Sequence, residues 1–363
     1  MKILLSGGGT VGSVSPLLAI KEEMLEQGIK VEFAWIGTES GVEVEVIKKE
    51  DIPYHPIVCG KLRRYFSFKN ISDIFRTLKG VFQAMRVVKQ FNPDLILSAG
   101  SYVSVPVLIA GRVKGKTCFV HQQDLVTGLA NKLMKPWATK VTVAFEESMK
   151  DFSKEKVILT GNPIRKKVFM GNKAKGQSQF GLDSSLPTLL VMGGSLGAEK
   201  LNELVFSIVT KLVDFCQIIH ITGKGQLIEW VDKEKYPNSS RYHATEYLYD
   251  DLIHTYAAAD LVICRAGLST LTELTALEKP SIVIPIPDNQ QEKNAQYFDK
   301  KNAIVSLNQK TLTAEELFDV VKGLIDNPNS RQRLSFNIKS AMIADANKKY
   351  VDLILATVPH ENN

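Results

Sequence analysis

Three glycine-rich turns stand where an apolar, strand-like run gives way to a helical pattern. They are Gly7-Gly8-Gly9-Thr10-Val11-Gly12, Gly193-Gly194-Ser195-Leu196-Gly197 and Arg265-Ala266-Gly267-Leu268-Ser269-Thr270. Glycine lets the backbone approach a ligand closely, and the first free N–H groups of the following helix suit an anion. None of the three is the G-x-x-x-x-G-K-[ST] loop of a nucleotide hydrolase. The first contains G-x-G-x-x-G, but the acid that a dinucleotide site needs at the end of the second strand is represented only by Glu39, past a glycine. The third turn is the most informative. Ser269 and Thr270 at a helix start suit a diphosphate without a metal, and Glu273 one turn further could accept hydrogen bonds from ribose hydroxyls. Thr270-x-x-Glu273 equally fits a capping box, a helix-start motif with no ligand. No Asp-x-Asp pair stands out, so neither a metal nor a cofactor is expected.

Such turns need sheets to hold them. Strands are expected at Ile3–Leu5, Val31–Ile36, Leu95–Leu97, Thr117–Val120, Lys140–Val143, Val157–Leu159, Thr188–Val191, Ile218–Ile221, Leu261–Ile263 and Ile282–Ile284. Helical patterns fill most gaps, among them Pro16–Gln27, Ile71–Phe91, Lys200–Asp214 and Thr270–Leu277. Continuous apolar strands alternating with helices define an α/β class with parallel sheets covered on both faces. A chain of 363 residues is too long for one ordinary core. A break falls after Gly161-Asn162-Pro163-Ile164-Arg165, and the polar stretch 171–187 reads as a linker. The second half then repeats the strand, glycine turn and helix of the first, which implies two similar domains across a cleft. The expected segments are 1–165, 166–335 and 336–363, and the last helix-like stretch, Ser330–Leu355, could cross back to the first domain.

Charge is unevenly spread. Between Lys61 and Lys89 lie eight basic residues against Asp73 alone, while the whole chain carries a formal +6. Phe68, Ile71, Ile74, Phe75, Leu78, Val81, Phe82, Met85 and Val88 recur there at helical spacing. The segment could lie on anionic lipid, at about 1 kcal/mol per basic residue near the surface. The apolar stripe itself is read as facing the core, with the basic face solvated. No helix-turn-helix, zinc or RNA-binding motif accompanies the charge, so no nucleic-acid partner is expected. Cys59, Cys118, Cys216 and Cys264 form no C-x-x-C pair and read as free thiols in a reducing compartment. With a first strand from Ile3 and no apolar run of about 20 residues, neither a leader nor a membrane span is expected.

Several motifs occur in a fixed order: Gly8-Gly9-Thr10 with Pro16, Gly60-Lys61-Leu62-Arg63-Arg64-Tyr65, Ser101-Tyr102-Val103-Ser104 and His121-Gln122-Gln123-Asp124. Gly161-Asn162-Pro163-x-Arg165, Gly193-Gly194-Ser195-x-Gly197-Ala198, Arg265-Ala266-Gly267 and Gln290-Gln291 with Asn294-Ala295 follow. Together they resemble the MurG family, bacterial N-acetylglucosaminyltransferases that complete the lipid-linked peptidoglycan disaccharide. The resemblance spans essentially the whole chain. It implies a GT-B fold of two Rossmann-like domains at the cytoplasmic face of the bacterial membrane. The reaction implied moves N-acetylglucosamine from UDP-N-acetylglucosamine to undecaprenyl-diphospho-N-acetylmuramoyl-pentapeptide, with inversion. Carried over by position, Leu248 would meet uracil, Ser195, Leu268, Ser269 and Thr270 the diphosphate, Glu273 the ribose, and Gln290 and Gln291 the sugar. Arg165 and Asp124 would reach the donor from the cleft, and Thr10, Val11 and Gly12 would meet the transferred sugar and the acceptor. Lys61, Arg63 and Arg64, with Tyr102, would face the acceptor and its diphosphate.

The chain departs from the family's usual G-G-T-G-G-H and H-E-Q-N. Ser13 stands for the histidine, Gln122 for the glutamate and Asp124 for the asparagine. Inverting transfer needs a group to take the acceptor's proton, and such assistance contributes about 10²–10⁴-fold. Asp124 is the candidate base, with Ser13 and His121 as the other candidate catalytic positions, although His121 reads equally as a structural hydrogen-bonding group. Ser13 leaves two alternatives open: a different lipid acceptor, or a UDP-sugar-binding protein with little or no turnover. Val11 would be strained if its position required a positive φ.

Overall fold

Apolar runs with both faces covered pair into two parallel sheets in the computed structural model, which describes residues 1–60, 69–194, 198–226, 240–248 and 250–358. Unit 1 comprises Met1–Arg165 and the chain from Ile343 onward; unit 2 comprises Lys166–Met342. The sheet of unit 1 contains β1 (Lys2–Ser6), β2 (Glu32–Gly37), β3 (Tyr54–Pro56), β4 (Leu95–Ser98), β5 (Thr117–Gln122), β6 (Lys140–Val143) and β7 (Val157–Leu159). That of unit 2 contains β8 (Thr188–Met192), β9 (Gln217–Ile221), β10 (Tyr242–Thr245), β11 (Leu261–Cys264), β12 (Ser281–Val283) and β13 (Val305–Ser306). Strand order is β3-β2-β1-β4-β5-β6-β7 in the first and β10-β9-β8-β11-β12-β13 in the second. Each order reverses once, at β1/β4 and at β8/β11, where Leu4 pairs with Ile96 and Leu190 with Val262. In such sheets the crevice outside the carboxyl ends at the reversal is the ligand-binding position.

The unpredicted strands, β3, β10 and β13, all lie at sheet edges. Each is short, and Tyr54-His55-Pro56 shows why an apolar-run criterion passes over them. The stretch 171–187 is not a bare linker. Asn172 accepts a hydrogen bond from the Lys175 N–H to start the helix Lys173–Phe180, which Gly181 ends at φ 60°. Gly176 belongs to a packing contact, because a Cβ there would collide with the His254 carbonyl. The stretch Ser330–Leu355 is two helices, Pro328–Lys339 and Ala346–Thr357, with Asp345 at φ 57° before the second. The second packs on the helix Ser15–Glu26 and buries Tyr350, Val351 and Ile354 completely in the core of unit 1.

The basic segment meets the expected polarity only in part: Arg76, Lys79 and Arg86 are exposed as expected, but much of the apolar stripe is exposed too. The helix Lys69–Phe91 buries its small residues Gly80 and Ala84, with Val88, beside the helix Ser104–Val113. Ile74, Phe75, Leu78 and Phe82 are 51, 68, 51 and 67% exposed, so this apolar stripe faces outward, not into the core. Among the described residues no helix is long and apolar enough to cross a membrane.

Candidate active site

At the carboxyl end of β1 the turn is stitched by side chains. Gly9 takes the positive φ, 79°, and Val11 opens a short 3₁₀ turn, Val11–Ser13, so valine occupies a right-handed conformation it tolerates. The Ser13 hydroxyl accepts from the Gly8 N–H at 3.1 Å and lies 3.3 Å from the Gly8 and Thr10 carbonyl oxygens, to one of which it donates. Only 7% exposed, Ser13 straps the turn; it is not placed as a proton acceptor for substrate. Trp35 donates to the Gly7 carbonyl at 3.0 Å, and Ser101, held at φ 87°, to the Gly8 carbonyl at 2.7 Å. Glu43, absent from the sequence-derived candidates, accepts from the Gly9 N–H at 2.9 Å. Thr10 stays exposed and Gly12 half-buried.

The loop after β5 joins this turn. Gln123 donates to the Gly12 and Ala99 carbonyls, both at 3.0 Å, which brings the ends of β1, β4 and β5 together. Asp124, next in sequence, is half-buried, and Tyr102 lies half-buried on the loop after β4 with its ring beside Gly9. Gln122 is 2% exposed; its amide donates to the Asp124 carbonyl at 2.6 Å and the Val126 carbonyl at 3.2 Å while its oxygen accepts from Asn131 at 2.6 Å. An ionised glutamate would oppose those two carbonyls, so Gln122 braces the loop and thereby presents Asp124. His121 is corrected as a catalytic candidate. It has no exposed surface, and its ring contacts Asn162 Oδ1 and Thr142 Oγ1, both at 2.9 Å. Asn162 Oδ1 can only accept, so Nε2 carries the proton; burial lowers the imidazole pKa to about 4 and keeps it neutral.

Arg165 is also engaged elsewhere than expected. Its guanidinium pairs with Glu22 at 2.6 Å and with Glu50, and Lys21 meets Glu50 at 3.2 Å. The Glu50 carboxyl sits below its ordinary value: burial would raise it, but the Arg165 charge and hydrogen bond, aided by Lys21, prevail. Lys61, Arg63 and Arg64 lie outside the described residues.

Unit 2 also carries a glycine turn at its reversal point, after β11, and treats it differently. The helix Leu268–Ala276 follows β11 with Gly267 in the cap position and no side-chain cap. Thr270 therefore lies inside the helix, and Glu273 accepts from the Tyr256 hydroxyl at 2.8 Å, which answers the capping-box alternative. The Ser269 hydroxyl is buried and has no partner among the described residues. The turn is anchored from behind: Asn294 donates to the Ala266 carbonyl at 3.1 Å and Arg265 to the Ile284 carbonyl at 2.9 Å. Gln290 starts the helix Gln290–Lys300, and Gln291 accepts from the Ile286 N–H at 3.2 Å. Leu248 is half-buried after β10, Leu268 is 4% exposed, and Ser195 lies outside the described residues. Thus Leu248, Leu268, Ser269, Thr270, Glu273, Gln290 and Gln291 all follow carboxyl ends of one sheet. Among the described residues no group of three His, Cys, Asp or Glu side chains is arranged to hold a metal.

The sheet pair is that of the GT-B glycosyltransferases, and known proteins agree. The Glycosyltransferase family 28 N-terminal domain matches residues 3–143 and the family 28 C-terminal domain residues 188–350. The chain is 38% identical to the UDP-N-acetylglucosamine--N-acetylmuramyl-(pentapeptide) pyrophosphoryl-undecaprenol N-acetylglucosamine transferase of Clostridium kluyveri, covering 97% of this chain and 98% of that one. It is 40% identical to the transferase of the same name from Lachnoclostridium phytofermentans, over 91% and 92%. The crystal structure of Acinetobacter baumannii MurG superposes with a TM-score of 0.73 at 26% identity, covering 98% and 99%. A UDP-GlcNAc 2-epimerase from Neisseria meningitidis shares the fold, with a TM-score of 0.72 at 13% identity over 98% and 100%. The chain belongs to glycosyltransferase family 28, in its MurG branch.

Proposed function

We propose that the chain transfers N-acetylglucosamine from UDP-N-acetylglucosamine to the 4-hydroxyl of undecaprenyl-diphospho-N-acetylmuramoyl-pentapeptide, inverting the anomeric carbon. The near full-length identity to transferases named for that reaction carries the reading. The chemistry of unit 2 supports it. An uncapped helix start with a buried, unpartnered hydroxyl at Ser269 suits a leaving diphosphate, and Glu273 suits the ribose. Leu248 would meet uracil, and Gln290 and Gln291 the sugar hydroxyls. As the acceptor oxygen bonds to the anomeric carbon, the bond to the diphosphate breaks and UDP departs. Asp124 takes the acceptor's proton, beside Thr10, Gly12 and Tyr102. Lys61, Arg63 and Arg64 supply positive charge for the acceptor diphosphate.

The outward stripe Ile74, Phe75, Leu78 and Phe82, flanked by the exposed Arg76, Lys79 and Arg86, supports peripheral docking on an anionic membrane surface at the cytoplasmic face. Release of UDP, followed with and without a short-chain acceptor analogue, tests the transfer. Release only with acceptor is expected; binding of UDP-N-acetylglucosamine with no release in either case would mean a binder without turnover. Flotation with phosphatidylglycerol vesicles tests the docking. Converting Phe75 and Phe82 to serine should abolish co-flotation, and unchanged co-flotation would remove the membrane reading.

A further inference from the structure

Glu43 has no exposed surface, yet it carries a carboxylate. Burying such a group is costly unless each oxygen is satisfied. Here Oε2 accepts from the Gly9 N–H at 2.9 Å, while Oε1 accepts from the Thr38 N–H at 2.9 Å and the Thr38 hydroxyl at 2.5 Å. The Tyr54 hydroxyl stands 3.4 Å from Oε1 and donates at 2.5 Å to the Thr38 carbonyl. The backbone is cut to admit the carboxylate, since a Cβ on Gly8 or Gly41 would collide with it. The charge is felt on both flanks: the Tyr54 and Tyr102 hydroxyls are pushed up by burial first and by Glu43 next.

We propose that Glu43 is a positioning residue for the transfer reaction. It fixes Gly9, and through Gly9 the exposed Thr10 and the short turn Val11–Ser13, in the conformation that receives the acceptor. This rests on the function proposed above. A carboxylate is required because two separate N–H groups, from Gly9 and Thr38, each need an acceptor oxygen. Glutamine fills the same volume but must turn its NH₂ toward one of them, leaving a buried donor opposed by a donor.

Glu43→Gln is therefore the informative variant, read by steady-state transfer, by UDP calorimetry and by hydrogen exchange of the segment 6–14. The expected result is an acceptor kcat/KM lower by about 10- to 100-fold, with exchange of the segment faster by about tenfold. Affinity for UDP should stay within about twofold, because the groups assigned to UDP belong to unit 2. Unchanged acceptor kcat/KM overturns the proposal even if exchange quickens, and unchanged exchange overturns it even if activity falls. Should this variant not fold, Thr38→Val removes one donor from the same carboxylate and must shift both readouts in the same direction. Wild-type protein that transfers nothing to the acceptor analogue would sink the proposed function instead, and the exchange comparison would then decide the clamp alone.

Discussion

After β1, the side chains of Ser13, Trp35, Glu43, Ser101 and Gln123 all bond to the backbone of the glycine turn; after β11, the helix start at Leu268 has no side-chain cap and the buried Ser269 hydroxyl has no partner among the described residues. Both turns sit where an otherwise equivalent strand order reverses. A turn whose polar groups are already paired is held rigid and has little left to offer an anion. A turn with an unpaired buried hydroxyl has an unmet demand that a ligand can fill. The two turns therefore differ in what they leave unpaired, and the proposed function assigns the acceptor side to the first and the diphosphate to the second.

The largest test of this contrast is Asp124→Asn, which removes the proposed base of unit 1 without touching unit 2. Turnover at saturating substrates should fall about 10²–10⁴-fold with UDP affinity unchanged; full turnover would place the base elsewhere. Next comes acidity, which should strike both units alike. His220 in unit 2 mirrors His121: it is buried and neutral, contacts Asn202 and Tyr242 at 3.1 and 2.9 Å, and has its pKa lowered to about 4 by burial. For each, the folded value lies below the unfolded value of about 6.5, so the stabilisation is complete above pH 6.5 and drains away as the pH falls toward 4. Each histidine should withdraw about 2 kcal/mol by pH 5, measurable by denaturant unfolding of the two units; a flat profile between pH 7 and 5 would contradict the buried neutral assignment.

Two serine substitutions then separate the turns. Ser269→Ala should weaken UDP binding about tenfold by calorimetry while leaving the melting temperature unchanged or slightly raised, because the hydroxyl bonds to none of the described residues. Ser13→Ala should do the reverse, costing about 1 kcal/mol of stability with UDP affinity intact. If both serines behave alike, the distinction between a stitched and an open turn fails.

The central strands were legible because runs such as Leu4-Leu5 and Leu189-Leu190-Val191 are apolar on both faces. The edge strands were not, since Tyr54-His55-Pro56 and Val305-Ser306 have no such run. Periodicity located the helix Lys69–Phe91 but could not say which of its faces packs. Gly80 and Ala84 make the close contact, so the larger Phe75 and Phe82 are left outside. The glycine turns of the site were equally plain. What spacing could not supply was burial: nothing local separates Glu43 from Glu39 or Glu45, and only the packing of β2, β3 and the first turn around it makes it a clamp. Ser13 misled for a related reason. Its type suggested a missing base, whereas its partners lie within its own turn.

Unit 1 is assembled from two separated stretches of chain. The side-chain amide of Asn347 bonds to both the N–H and the carbonyl of Ile164 at 2.8 Å, and Tyr350 sits edge-on to His121 with ring centroids 5.7 Å apart. On the ribosome, unit 2 therefore has its whole sequence by Met342, while the earlier-synthesised unit 1 must wait, core unfinished, until the helix Ala346–Thr357 emerges to close it.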